Sequence, residues 1–232
     1  MPSFSSVPLG TLTKGWSLLL DLVYPPRCGG CDRRGTLMCE QCLARIEMAD
    51  GTKSVERVEA LITAGVFQEP LRRAIHKLKY ESDTPLAKPL ALMISDALAR
   101  DGRWVGEDGE PPVIVAVPLH RSRKRARGYS QSDLLARELG RITGWTVDKR
   151  LVRVKATRAQ VGLHGDARKE NVRDAFKWEG EEAPPRVMLV DDVCTTGATL
   201  SECAFALMAA GTDHIFAATV AVAFGSGPEA GS

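Results

Sequence analysis

The sequence predicts an α/β fold built on a mostly parallel sheet, with a small zinc-binding module ahead of it. Three observations carry this. After residue 58, short apolar runs alternate with amphipathic stretches at helical spacing, the rhythm of repeated βαβ units. Two of those runs, 113–117 and, from Val187 on, 186–190, are apolar at successive positions, as strands buried on both faces are. Four of the six cysteines crowd into 28–42, before the alternation begins.

Residues 1–24 contain a short apolar helix candidate, too short to span a bilayer, with a single lysine ahead of its leucines and no small-residue cleavage site behind. The expectation is a cytoplasmic protein without membrane insertion. Residues 49–57 are polar and contain Gly51, which reads as a linker. Residues 58–67 suit a strand. Over 70–80, Leu71, Ile75 and Leu78 recur at helical spacing with basic residues opposite. A second helix is expected over 85–100, with Leu86, Leu90, Met93, Ile94 and Leu98 inward. The strand at 113–117 closes at Pro118, and a basic loop follows over 121–127. A helix over 130–142 turns Leu134, Leu135 and Leu139 inward and stops at Gly144. A strand is expected over 146–154, then a polar stretch without periodicity to 174. The strand at 186–190, a loop, a helix over 200–210 stopped by Gly211, and a strand over 214–224 complete the pattern. The implied domains are 1–27 as an N-terminal helix and lead-in, 28–50 as the cysteine module, 51–224 as the main α/β domain, and 225–232 as a disordered tail.

The chain's 232 residues suffice for one ordinary domain and a small appendage. Hydrophobic residues at 44% and charged residues at 26% exclude disorder, collagen and a coiled-coil rod. With 31 Lys+Arg against 29 Asp+Glu, the net charge of +2 excludes a nucleic-acid binder that relies on an all-over basic coat. Local basic clusters are still allowed.

The cysteines read Cys28-x2-Cys31-x7-Cys39-x2-Cys42. In a reducing compartment such a cluster binds metal more readily than it forms disulfides. Each C-x2-C pair turns two thiolates toward one point, and two pairs supply four soft ligands for structural Zn²⁺ with no open catalytic position. Four unligated thiols or an iron–sulfur cluster fit the same spacing. The main domain's core is expected to lie apart from this module.

The most informative stretch is 186–199. An apolar strand ends in Asp191 and Asp192, and a loop containing Thr195, Thr196, Gly197, Ala198 and Thr199 opens a helix. Ligands of open α/β sheets bind beyond the carboxyl ends of the strands. The unpaired N–H groups of a helix N-terminus suit a phosphate. Carboxylates repel phosphate but suit sugar hydroxyls or a water-bridged Mg²⁺, so together the pair and the loop suit a sugar phosphate. A second cluster, His120 with Arg121, Arg123, Lys124, Arg125 and Arg127, follows the 113–117 strand. Arginine forks bind phosphates bidentately, so a clamp on a diphosphate is one reading. A solvated basic loop and a contact with a nucleic-acid backbone are the others.

The run 186–199 resembles the phosphoribosyl pyrophosphate (PRPP) signature of type I phosphoribosyltransferases. That resemblance implies that Asp191 and Asp192 hold the ribose hydroxyls and that residues 195–199 wrap the 5′-phosphate. With the whole chain in view, it resembles the ComF competence-protein family. The pieces that match are the cysteine pairs, Leu71 to Tyr80 with its terminal Leu-Lys-Tyr, Val117-Pro-Leu-His120, Arg127-Gly-Tyr-Ser-Gln131, Gln160 with Arg168 and Asn171, and the PRPP loop. Ser130 stands where the family often has Asn, which puts any ligand contact of that Asn in doubt. Residues 155–176, with Arg158, Gln160, Arg168, Lys169 and Asn171, are long enough for a lid or for an exposed polar loop. No histidine, His164 included, has a neighbour pattern that marks a catalytic base.

The resemblance implies a Mg²⁺- and PRPP-dependent phosphoribosyltransferase linked to DNA uptake, its acceptor unread. The alternative is a non-catalytic factor that binds single-stranded DNA or a DNA-uptake helicase partner. Aromatic residues are only 6% of the chain, which disfavours base stacking as the main mode of binding.

Overall fold

The computed structural model describes residues 25–49, 53–105, 109–155 and 174–224, apart from the side chains of 123, 124 and 126. The expected apolar helix near the start, most of the lid candidate and the tail lie outside the described residues. In chain order the elements are α1 (Glu40–Leu43), β1 (Ala60–Val66), α2 (Leu71–Tyr80), a 3-10 turn (Thr84–Leu86), α3 (Ala87–Asp101), β2 (Val113–Ala116), α4 (Arg121–Arg127), α5 (Gln131–Thr143), β3 (Val147–Asp148), β4 (Leu151–Arg153), β5 (Phe176–Trp178), β6 (Arg186–Cys194), α6 (Ala198–Met208) and β7 (His214–Val222).

The two apolar runs lie side by side. β2 and β6 pair in parallel, with Val113 opposite Val187 and Ala116 opposite Val190. The sheet runs β1-β7-β6-β2-β3, every pair parallel. Alternate residues of a strand face opposite ways. Met188 and Val190 therefore join the core under α2, α3 and α5, with Leu78, Leu90, Ile94, Leu135 and Leu139. Val187 and Leu189 face α6 with Leu200, Cys203 and Leu207. Each such leucine, fully buried, contributes about 1.5–3 kcal/mol of transfer free energy.

Four expectations are corrected. The 146–154 strand is two: β3 stays in the main sheet, while β4 pairs antiparallel with β5 in a separate ribbon. Asp148 makes the break, because its carboxylate accepts the Arg150 backbone N–H at 2.9 Å and its guanidinium as well, turning the chain. β5 was not expected at all. The strand from 186 does not end before the acids but runs to Cys194, because β7 continues to pair with it as far as Val222. The 121–127 segment is a helix rather than a loop, in keeping with the good helix propensity of Arg, Lys and Ala.

Candidate functional site

Past Val117, whose N–H still donates to the Val190 carbonyl, the chain leaves the side of β6, and the continuing strand carries Asp191 and Asp192 into the gap. There they floor a cavity of about 590 Å³, within the range of small-molecule pockets. Thr195, Thr196, Gly197, Ala198 and Thr199 form one wall. Gly197 has φ +81°, a left-handed turn that glycine takes without strain, and it opens α6 with its carbonyl accepting from Ser201 N–H at 2.9 Å. Thr196 Oγ1 accepts from the Ala198 N–H at 3.4 Å.

The two acids are held differently. Asp191 Oδ1 accepts from Ser132 Oγ at 2.8 Å and from the Asp192 N–H at 2.9 Å. Burial, with the Asp192 charge beside it, nevertheless pushes its carboxyl up to about 7, against the pull of Ser132 and Lys79. Asp192 is buried and pairs with Lys79 Nζ at 2.9 Å. Burial works against the Lys79 charge, but the Asp192 carboxylate outweighs it and holds the ammonium's pKa above its ordinary value.

Of the described side chains of the basic cluster, only Arg127 lines the cavity. It donates to Gln131 Oε1 at 2.7 Å, and its guanidinium stands 5.1 Å from the centre of the Tyr80 ring. Arg121 and Arg125 are exposed outside the lining, and the side chains of Arg123 and Lys124 are not described. His120 turns to Ser122, Nδ1 to Oγ at 2.7 Å. Lys79, Ser132 and Arg153 line the cavity without having been singled out for it. Each is a lone polar residue in an ordinary element, and only the Leu-Lys-Tyr of the family resemblance hinted at Lys79. Ser130 is accounted for too: its Oγ accepts the Asp133 N–H at 3.3 Å and caps α5, which aims Gln131 and Ser132 at the site.

The described end of the stretch expected as a linker, residues 53–57, packs behind the 195–199 loop. Lys53 Nζ donates to the carbonyls of Thr195 and Ala223, the latter at 3.0 Å. Val55 is buried with a methyl 2.9 Å from where a Gly197 Cβ would stand. Arg57 reaches Ser201 Oγ at 3.2 Å.

The four N-terminal cysteines form a second candidate centre. Their sulfurs lie within 4.8 Å of one another, with Cys31 and Cys39 3.7 Å apart. Tetrahedral zinc with bonds of about 2.3 Å spaces its sulfurs by about 3.8 Å, so the set fits a metal of this kind. Burial works to raise the Cys28 thiol, but backbone N–H groups of Cys39, Cys31 and Gly30 outweigh it and bring it down to about 6. Burial and the neighbouring sulfurs push Cys42 up. The module does not stand apart from the main core, as the sequence led us to expect. Cys28, Cys39 and Cys42 share one buried cluster with Leu71, Ala74 and Leu86. A Cβ on Gly29 would meet Leu86 at 2.9 Å, and one on Gly30 would meet Pro70 at 2.8 Å. Asp32 closes the joint through ion pairs to Lys77 and Arg73 of α2. Among the described residues, no helix is long and apolar enough to cross a membrane.

No family model matches the chain. It is similar to "Competence protein F" of Haemophilus influenzae, 31% identical over 197 residues that cover 82% of each chain. It is 32% identical to "DNA utilization protein YhgH" of Salmonella typhimurium over 85% of this chain and 81% of the relative. The YhgH of Escherichia coli K12 is 32% identical over 81% and 79%. Among solved structures it overlays on a hypoxanthine-guanine phosphoribosyl transferase of L. donovani with TM-score 0.34, at 13% identity, over 59% of this chain and 67% of that one. An adenine phosphoribosyltransferase of Thermoanaerobacter pseudethanolicus gives 0.33 at 16% identity, over 62% and 83%. Both overlays are too loose to bear on the site.

Proposed function

The chain belongs to the family of competence protein F and the YhgH DNA utilization proteins, and from that premise we propose a PRPP-binding, phosphoribosyltransferase-type protein that serves DNA uptake or use. One observation carries the reading: an acid pair and a threonine–glycine loop at a helix N-terminus line one cavity. Thr195 to Thr199 wrap the 5′-phosphate with backbone N–H groups and hydroxyls. Asp191 and Asp192 take the ribose 2′- and 3′-hydroxyls. Mg²⁺, whose oxygen-ligand preference suits this carboxylate floor, would supply charge neutralisation on the diphosphate when bound. Arg127 adds a fixed cation beside that leaving group as the bond to C1 breaks, and rigid hold on the sugar provides the orientation. Calorimetric titration with Mg²⁺ and PRPP should give saturable binding, and absence of binding defeats the reading.

Zn²⁺ is the ion we assign to the cysteine cluster. Purified protein should hold about one equivalent, and Cys39→Ser should release it. Because the module shares its core with α2, the loss should reach the whole chain. About 3 kcal/mol, or roughly 6–12 °C in Tm, is expected for a chain of this length. Full zinc retention in that variant would rule out the shared site.

A second reading, contact with single-stranded DNA, is favoured by Arg121 and Arg125 standing exposed on α4 and by Tyr80, 61% exposed beside Arg127. An oligonucleotide titrated in parallel at two salt concentrations tests it.

A further inference from the structure

Lys79 enters the cavity from the last turn of α2, and its ammonium lies on Asp192 with only 24% of the side chain exposed. Among the described residues, it is the cation that pairs with the acid floor. An ammonium so placed neutralises one carboxylate and also occupies the approach that another cation would need. A second observation lies on the same wall. Gln131 is 2% exposed and lines the cavity; Arg127 donates to its Oε1, while its Nε2 has no hydrogen-bond partner among the described residues. A buried amide donor left unpaired costs free energy until an acceptor arrives. This side of the cavity therefore offers an exchangeable ammonium, a guanidinium and a waiting N–H donor, a set that suits an anion with several oxygens.

We propose that Lys79 is an exchangeable counter-ion: it holds Asp192 while the cavity is empty and yields that carboxylate to a divalent cation as its ammonium turns to the accompanying diphosphate. The inference rests on the reading of the cavity as a sugar-diphosphate site and adds a binding residue to it. No bond is made or broken in the exchange. The ammonium trades one anionic partner for another, so the carboxylate is never left without a cation.

The exchange gives opposite signs for two simple probes. Lys79→Met keeps the aliphatic stem and removes the charge. Mn²⁺ alone should then bind at least about tenfold more tightly than to wild type, because its competitor is gone, while metal-free pyrophosphate should bind about tenfold more weakly. Lys79→Arg should stay near wild type for both probes. Mn²⁺ affinity that is unchanged or weaker in Lys79→Met overturns the proposal, as does pyrophosphate affinity that does not fall. If Lys79→Met does not fold, wild-type protein carries the test. Acylation of Lys79, mapped by mass spectrometry, should rise with Mn²⁺ and fall with pyrophosphate, and indifference to both overturns the exchange. Neither probe contains ribose. Wild-type protein that ignores Mg²⁺–PRPP therefore defeats the functional reading, whereas unmoved Mn²⁺ and pyrophosphate affinities defeat the role of Lys79.

Discussion

Two stretches gather unusual chemistry into a few residues, and the fold treats them in opposite ways. From Asp191 to Thr199, a strand end, a tight turn and the first turn of α6 follow one another, and every residue singled out there lines the same cavity. From Arg121 to Arg127 the chain is helical, with residues about 100° apart around the axis. Successive side chains of such a helix leave it in different directions, and of the described ones only Arg127 meets the cavity. The difference is geometric. A strand-to-helix turn folds its residues around one point, whereas a helix spreads a run of like charges over its whole circumference. Density of charge along the chain therefore says less about a site than the element that carries it.

The largest expected effect tests the first stretch. Replacing Asp191 and Asp192 together by Asn should leave the fold intact and cut Mg²⁺–PRPP affinity by about a hundredfold or more, read by calorimetry. Affinity for a single-stranded oligonucleotide should stay level or rise, because negative charge has been removed. Retained PRPP binding would dissolve the contrast between the two stretches.

Next comes Gly197→Ala. At φ +81°, with Val55 2.9 Å from the added Cβ, it should cost about 1–3 kcal/mol and distort the loop. Affinity for ribose 5-phosphate and for PRPP should fall together, because both carry the 5′-phosphate. Loss confined to PRPP would move the 5′-phosphate elsewhere.

The basic helix gives a graded test. Arg127→Ala should weaken PRPP by about tenfold and ribose 5-phosphate far less, since its partner is the diphosphate. Arg121→Ala and Arg125→Ala should change PRPP affinity by less than about twofold. Equal losses from all three would mean that the helix acts as a charge cloud and that its orientation is irrelevant.

The smallest effect is the dependence on pH. The Asp191 carboxyl sits at about 7 in the folded chain against an ordinary value of 3.8, so the folded state holds this proton more tightly than the unfolded one. Its contribution to stability is complete below the ordinary carboxylate range and is lost as pH rises toward 7. The Tm of wild type, relative to Asp191→Asn, should decline by a few degrees between about pH 5 and pH 8. A flat difference would mean that Ser132 and Lys79 keep the carboxylate ionised throughout.

Much of the fold was legible because it depends on local pattern. Short apolar runs placed β1, β2, β6 and β7, and helical spacing and glycine stops placed α2, α3, α5 and α6, within a few residues. The failures share a cause. The far end of β6 is held by pairing with β7, and β4 and β5 are held by each other, so no local signal marks them. The cysteine cluster was legible as a ligand set, but not its burial against Leu71 and Leu86, which two glycines allow by close approach.

The sequence by itself determined the parallel α/β class, the four-cysteine set and the strand–turn–helix that carries Asp191, Asp192 and the threonine–glycine loop. Each is written in contiguous residues, and backbone geometry over a few positions suffices to assemble it. Only the tertiary structure decided which cations share the cavity with the acids. Lys79, Arg127 and Arg153 come from α2, α4 and β4, separated along the chain by dozens of residues. They meet because α2 packs over the same sheet whose strand β2 leaves the side of β6 where Asp191 and Asp192 begin. Such a meeting depends on packing across the core, and no spacing along the chain encodes it.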